Sequence, residues 1–339
     1  MYAKRVLAPS LVPIVDRWVE QPPVKFLNAL HTQLSKKAVV DANVPCNREE
    51  WIRSIKNVHV IAGSIPMTAD LLKYADVLEM IQTFGIGYDK IDVSACTEKN
   101  ILVCNVAEIY SEPVAQHAWA LILDLAKKVS LADRSMRDGS WSTRNWMGLQ
   151  LWGRTLGVIG LGGIGARIAM KGHLAFNMNV LAYDPNVLPG RAQRYGAELV
   201  ELKTLLEQSD IVSISTPLTP ETHHMISAAE LSLMKHSAIL INTSRGAVID
   251  QEALLACLQK GEIQGAGLDV FETEPLDPCS PLLHLENVVL TPHIASSTSE
   301  AIQKTYAEAI ANIIRYLSGY QPYWVVNPQV KRNLLIDVI

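Results

Sequence analysis

The chain has 339 residues and a mass of 37.3 kDa, enough for two domains that each bury a core. Hydrophobic residues make up 49% and charged residues 19%, which excludes a largely disordered chain. A net charge of −4 leaves no electrostatic footprint for nucleic acid, and no apolar run reaches the ~18 residues of a membrane span.

Behind Lys4-Arg5 an apolar stretch runs to Val15, broken by Pro9, Ser10 and Pro13 and lacking a small-residue cleavage site. It reads as a first strand and not as a signal peptide. Strands are expected at Lys4–Ala8, Ala38–Asp41, Val58–Ala62, Met80–Phe84 and Ile101–Asn105, with helical spacing over Arg48–Ile55 and Ala69–Tyr74. Such alternation builds a parallel sheet covered on both faces. A long helix is expected over Glu112–Val129, where Val114, Ala118, Leu121, Ile122 and Leu125 form one apolar stripe. The polar segment Arg134–Trp152 follows, and its Trp141, Trp146 and Trp152 suit packing or a subunit contact.

From Thr155 a second alternating series begins, with strands at Leu156–Ile159, Val180–Asp184, Ile211–Ser215, Ala238–Asn242, Gly265–Phe271 and Val288–Thr291. Helices are expected at Ala228–Met234 and Gln251–Lys260, and a last one at Ser299–Leu317. This series fits a doubly wound sheet. Cys46, Cys96, Cys104, Cys257 and Cys279 are odd in number and show no C-x-x-C spacing. That argues against a disulfide framework or a zinc knuckle and for reduced thiols in a cytoplasmic protein.

The segment Leu156–Gly165 is a strand running into G-x-G-x-x-G. Gly160 permits the tight turn, Gly162 lets a pyrophosphate approach the backbone, and Gly165 lets helix and strand pack closely. The helix N-terminus at Gly163-Ile164 offers free N–H groups and a positive partial charge to phosphates. Asp184 ends the next strand, 19 residues beyond Gly165. Its carboxylate suits the two ribose hydroxyls of an adenosine and repels a 2′-phosphate, which favours NAD over NADP. Thr216-Pro217, just past the strand Ile211–Ser215, join the cofactor-binding candidates.

Three polar clusters end later strands: Asn242-Thr243-Ser244-Arg245-Gly246, Asp269–Pro275 and Thr291-Pro292-His293. The carboxyl ends of parallel strands line the ligand crevice, so Arg245, Glu274 and His293 are candidates to meet there. Hydride transfer to a carbonyl leaves an alkoxide that needs a proton, and a histidine suits that task. A carboxylate fixes its tautomer, and an arginine fork grips a substrate carboxylate. Adjacent His223-His224 point in different directions, which argues against a metal site. Asn242-Thr243-Ser244 matches the N-glycosylation pattern, but there is no secretory signal and the motif already has a use.

Taken together, GLGGIG with Asp184, NTSRG, LDVFETEP, TPH and FGIGYDKID near Gly85–Asp92 resemble the NAD-dependent D-isomer-specific 2-hydroxyacid dehydrogenases over essentially the full length. The resemblance implies an α/β fold of two doubly wound parallel-sheet domains. A Rossmann NAD-binding domain (110–296) would be inserted into a discontinuous flavodoxin-like substrate domain (1–109 and 297–339). It implies that Arg245 binds the substrate carboxylate and carbonyl, that His293 is the acid/base with Glu274 as partner, and that Asp269 contacts the nicotinamide end and supports the Arg245 region. Backbone amides of Ile86 and Gly87 would help hold the substrate carboxylate. It further implies a homodimer joined through the Trp-rich region.

Within that family Glu274 argues against the formate dehydrogenase branch, and Ile86 against a phosphite site. Val114-Ala115-Gln116-His117 resembles the glycerate dehydrogenase, or hydroxypyruvate reductase, branch. His117 itself reads as a packed or capping histidine. The side-chain pocket is expected near Gly63–Pro66 and the Trp-rich segment. The expected reaction is reversible reduction of a small 2-oxo acid, hydroxypyruvate or glyoxylate foremost. The alternative is an NAD-sensing binding protein of the corepressor type, with no nucleic acid or membrane partner expected for the enzyme. Charge is uneven along the chain: residues 110–200, with the glycine loop, hold ten basic against six acidic side chains, and residues 201–296 hold four against thirteen.

Overall fold

The computed structural model describes residues 4–8, 24–41, 45, 47–63, 65–141 and 146–336. The prolines of the N-terminal stretch, Cys46, Ser64 and residues 142–145 of the Trp-rich segment lie outside the described residues. The chain divides into two compact units, residues 1–110 with 297–339, and residues 111–296.

The first unit alternates β1 (Arg5–Leu7), α1 (Val24–Ser35), β2 (Val39–Asp41), α2 (Arg48–Ile55), β3 (Val60–Ala62), α3 (Ala69–Leu72), β4 (Met80–Gln82), α4 (Val93–Glu98) and β5 (Leu102–Cys104). All pairings are parallel, in the order β2-β1-β3-β4-β5. Every residue of β3, β4 and β5 is buried, as both faces of a parallel sheet require. Side chains alternate between two apolar clusters. Val60, Ala62, Met80 and Leu102 pack with α1 and with Ala309, Ile310 and Ile313 of the C-terminal helix. Ile61, Ile81 and Val103 pack with Ile55, Leu72 and Cys96. The tail then closes the β5 edge: Cys104 bridges Val325 in antiparallel fashion, and the Val326 N–H donates to Val103 O at 2.8 Å. Buried Asn327 accepts the Val103 N–H at 2.8 Å, so the exposed edge has its hydrogen bonds satisfied from within the chain.

The second unit opens with α5 (Ser111–Lys127) and α6 (Val129–Arg137). Its series then runs β6 (Thr155–Ile159), α7 (Gly163–Phe176), β7 (Asn179–Tyr183), α8 (Pro189–Gln193), β8 (Ala197–Leu199), α9 (Leu202–Gln208) and β9 (Ile211–Ile214). It continues with α10 (Ala228–Leu231), β10 (Ile239–Asn242), α11 (Gln251–Lys260), β11 (Gly265–Leu268) and β12 (Val288–Leu290), before α12 (Ser299–Leu317) returns to the first unit. The seven strands are parallel in the order β12-β11-β10-β9-β6-β7-β8. The order reverses between β6 and β9, which makes a crevice at their carboxyl ends.

Several boundaries differ from the sequence expectation. The helix expected over Glu112–Val129 stops at Lys127, because Lys128 turns left-handed at φ 56 and α6 starts afresh. Asp124 secures this break by accepting the Ser130 N–H at 2.7 Å. The strands expected at Met80–Phe84 and Gly265–Phe271 end at Gln82 and Leu268, where the chain leaves the ladder for the loops that carry candidate residues. Cys96, Cys104, Cys257 and Cys279 are free thiols, and burial pushes the Cys96 and Cys104 thiols up to about 12. Among the described residues no helix is long and apolar enough to cross a membrane.

Candidate active site

Within the second unit every candidate residue follows the carboxyl end of a strand. Gly160–Gly165 follows β6, Asp184 follows β7, Thr216-Pro217 follows β9, Arg245 follows β10, Asp269 and Glu274 follow β11, and His293 follows β12. The candidates therefore share one end of one sheet.

The glycines of the loop differ in what they permit. Gly160 has φ 87, and a Cβ there would lie 2.9 Å from the Ser215 carbonyl and the Thr216 nitrogen. A Cβ on Gly165 would sit 1.9 Å from Gly160 O, so only glycine lets α7 pack on β6. On Gly163 it would meet Ser111 Oγ at 2.6 Å. On Gly162 it would meet nothing within 4 Å. Gly162 is thus not required by the fold; it leaves open space at the N-terminus of α7, where no side-chain cap hydrogen bond is made. Ile164 is partly buried against an apolar cluster of the second unit. The Asp184 carboxylate accepts the Leu161 N–H at 2.8 Å and the Asn186 N–H at 2.9 Å. It braces the glycine loop from the carboxyl end of β7. Open backbone, a helix N-terminus and this carboxylate together fit a dinucleotide such as NAD.

Across the crevice, buried Asn242 shapes the arginine loop. Its Oδ1 accepts from Ser244 N (3.0 Å) and Ser244 Oγ (2.8 Å), and its Nδ2 donates to Arg245 O at 2.9 Å. Gly246 follows because a Cβ there would fall 1.9 Å from the Phe271 carbonyl carbon. The arginine loop and the loop that carries Glu274 therefore touch backbone to backbone. Arg245 is half-buried, donates to Ser244 O at 2.7 Å, and its charge acts on Glu274.

His293 Nδ1 lies 2.7 Å from Glu274 Oε2, and Glu274 Oε1 accepts the Phe271 N–H at 3.1 Å. Burial alone would push the Glu274 carboxyl up, but the bond to His293, the Phe271 amide and the Arg245 charge outweigh it and hold it below the usual carboxylate range. The His293 backbone is left-handed at φ 55, and its N–H donates to Asp269 O at 2.8 Å and Thr291 O at 3.1 Å.

Asp269 is fully buried. Its carboxylate accepts from Thr291 Oγ1 (2.6 Å), Ile294 N (2.9 Å) and Ala295 N (2.8 Å). It holds the 291–295 loop from below. His117 joins this group, with Nε2 at 2.9 Å from Thr291 Oγ1. Asn242, Gly246 and Thr291 were not singled out as individual site residues by the sequence, although each lies inside or beside a motif that was. His224 pairs with Glu272 at 2.7 Å, and among the described residues no cluster that could hold a metal is present.

Ile86 and Gly87 belong to the first unit, in the loop after β4. Asn105 Nδ2 donates to Ile86 O at 2.9 Å and Thr83 Oγ1 to Gly85 O at 2.8 Å, which pins the carbonyls of this turn. The N–H groups of Ile86 and Gly87 donate to no backbone carbonyl among the described residues. Trp141 and Trp152 expose most of their surface, and Trp146 is half-buried.

Residues 119–295 match the family model for the D-isomer specific 2-hydroxyacid dehydrogenase, NAD binding domain. Over 293 residues the chain is 40% identical to a glyoxylate reductase of Korarchaeum cryptofilum, covering 84% of this chain and 88% of that protein. Over 309 residues it is 39% identical to a glyoxylate/hydroxypyruvate reductase B of Yersinia pestis, covering 89% and 94%. Among solved structures, a glyoxylate reductase from Paecilomyes thermophila superposes with a TM-score of 0.87 at 28% identity, over 98% of this chain and 100% of that one.

Proposed function

This chain belongs to the D-isomer specific 2-hydroxyacid dehydrogenases, oxidoreductases with a nicotinamide cofactor, and on that premise we propose that it reduces glyoxylate and hydroxypyruvate with NADH. The observation that carries the reading is the His293–Glu274 pair at 2.7 Å, in the unit that also carries Arg245 and the open glycine loop. The names of the relatives support the choice of substrate.

When bound, the cofactor supplies the hydride. Gly162, Gly163, Ile164 and Gly165 would offer backbone N–H groups to its pyrophosphate, while Gly160, whose own N–H donates to Tyr183 O at 2.8 Å, makes the turn; Asp184 would take the adenosine ribose, and Thr216-Pro217 would flank it. Arg245 takes the substrate carboxylate and polarises the neighbouring carbonyl. His293 delivers a proton from Nε2 to the carbonyl oxygen as the alkoxide forms. Its Nδ1–H stays on Glu274, which keeps the ring in one tautomer and stabilises its charged form. Asp269 acts by fixing the 291–295 loop. Ile86 and Gly87 add amide donors for the carboxylate. The two units serve as substrate-binding (1–110 and 297–339) and NAD-binding (111–296) domains. The exposed Trp141 serves a homodimer contact, which sedimentation of Trp141→Ser would test by loss of the dimer.

Turnover is tested by loss of NADH absorbance with hydroxypyruvate, glyoxylate, pyruvate and phenylpyruvate. Hydroxypyruvate and glyoxylate should give the highest kcat/KM. His293→Gln should lower kcat by about 10²–10⁴-fold. Tight NADH binding without turnover on any of these acids would overturn the reading in favour of an NAD-sensing protein.

A further inference from the structure

His117 sits on α5, 174 residues from Thr291, and its Nε2 faces two oxygens: Thr291 Oγ1 at 2.9 Å and Asp269 Oδ1 at 3.5 Å. The tautomer follows from counting protons. Thr291 has one hydroxyl proton, and the 2.6 Å contact gives it to Asp269 Oδ1. As a carboxylate Asp269 only accepts, and its oxygens also take the Ile294 and Ala295 N–H groups. The Thr291 oxygen is left as an acceptor toward His117, so the proton between them belongs to Nε2.

We propose that His117 is a positioning residue for the acid/base histidine. Its Nε2–H orients the Thr291 hydroxyl onto Asp269, and Asp269 in turn fixes the backbone of His293. The chain of contacts is short. From His117 it passes through Thr291 Oγ1 to the Asp269 carboxylate, and the Asp269 carbonyl accepts the His293 N–H at 2.8 Å. The last step matters because His293 is held left-handed at φ 55, a backbone state that persists for a residue with a side chain only where neighbours over-determine it. Asp269 supplies that determination three times over, through its carbonyl to His293 and its carboxylate to Ile294 and Ala295. Losing the His117 donor frees the Thr291 hydroxyl to rotate away, and leaves the fully buried carboxylate one donor short.

The inference rests on the reading of His293 as the proton donor, but its first test does not. Long-range proton–nitrogen NMR of the ¹⁵N-labelled wild-type protein reports the His117 tautomer directly. Nε2 should carry the proton; an Nδ1–H tautomer overturns the proposal whatever His293 does. The second test compares His117→Phe, which removes the donor, with His117→Gln, whose amide restores one. His117→Phe should lower kcat about tenfold, the rate equivalent of one hydrogen bond to a charged group, with the Kd for NADH unchanged. His117→Gln should recover most of the loss. Equal activity of the two variants overturns the proposal. Full activity of His293→Gln alongside the assigned His117 tautomer would instead sink the catalytic reading and leave the hydrogen-bond chain standing.

Discussion

Glu274 Oε2 meets His293 Nδ1 at 2.7 Å, while the other oxygen of the same carboxylate is tied to the Phe271 amide at 3.1 Å. The carboxylate is therefore fixed at one end and presents its charge to the imidazole at the other. Glu274→Gln keeps the shape and removes the charge. Its loss leaves the imidazole without a charged partner at Nδ1. The rate at the optimum should fall by about 10–100-fold. A rate at the optimum equal to that of the wild type would contradict the role given to Glu274. Stability follows the same pair. The Glu274 carboxyl is held low in the folded state, so the stabilisation it brings is present above the ordinary glutamate range and is lost as pH falls through the lower, folded value.

The glycine loop separates fold from ligand. A Cβ at Gly165 collides with Gly160 O at 1.9 Å, whereas one at Gly162 meets nothing within 4 Å. Gly165→Ala should therefore unfold at a clearly lower temperature than the wild type, by about 2 kcal/mol or more of overpacking against backbone. Gly162→Ala should keep the wild-type Tm without cofactor, yet bind NADH about tenfold or more weakly because its methyl group occupies the pyrophosphate approach. Calorimetry in the absence of NADH and a fluorescence titration distinguish the two. A destabilised Gly162→Ala, or one with normal NADH affinity, would contradict this division of labour.

Asp184 has two duties that one substitution exposes together. Removing its charge in Asp184→Ser should shift the NADH/NADPH ratio of kcat/KM toward NADPH by about tenfold, the worth of one unfavourable charge contact. The same change takes the acceptor from the Leu161 N–H, now bonded at 2.8 Å. NADH affinity should therefore fall as well, where a pure change of preference would leave it intact. Measuring both coenzymes in parallel decides the matter, and an unchanged ratio would remove Asp184 from the ribose site.

Much of this architecture is written locally and the rest is not. The helices α2, α11 and α12 follow the periodic pattern to the residue because Asn47, Asp250 and Thr298 cap them from the sequence itself. The break after Lys127 is invisible, since a lysine and not a glycine takes the left-handed position. β8 is three residues long, with a glutamate at its centre, and carries no alternation to read. Strand-end motifs located Arg245, Glu274 and His293, because parallel sheets place such residues on one edge by topology. The direction of a side chain is another matter. Asp269 sits in the same kind of motif, and the motif does not report that its carboxylate is fully buried and bonded to the 291–295 loop. His117 reads as a packed or capping histidine, and its partners lie more than 150 residues away in sequence. Spacing along the chain reports which end of a sheet a residue reaches, not which way it turns there.

Asp210 anchors the opposite end of the second sheet and sets its response to acid. Its carboxylate accepts the Thr155 N–H at 2.9 Å and pairs with Lys235 at 3.1 Å and Arg154 at 3.3 Å, while Lys235 also donates to Gln208 O at 2.7 Å. Burial pushes this carboxyl up, but the Thr155 amide and the two cations prevail and hold it below the usual aspartate range. A depressed value stabilises the fold above the unfolded-state pKa, and that stabilisation disappears as pH falls through the folded one. Asp210→Asn keeps one hydrogen bond and loses both ion pairs. At neutral pH it should cost about 2 kcal/mol, the range for hydrogen bonds to charged groups, or roughly 4–8 °C in Tm for a domain of this size. The gap between variant and wild type should narrow below about pH 4, where an ordinary aspartate begins to protonate, and close at still lower pH. A gap that stays constant across that range would show that Asp210 acts by shape and not by charge.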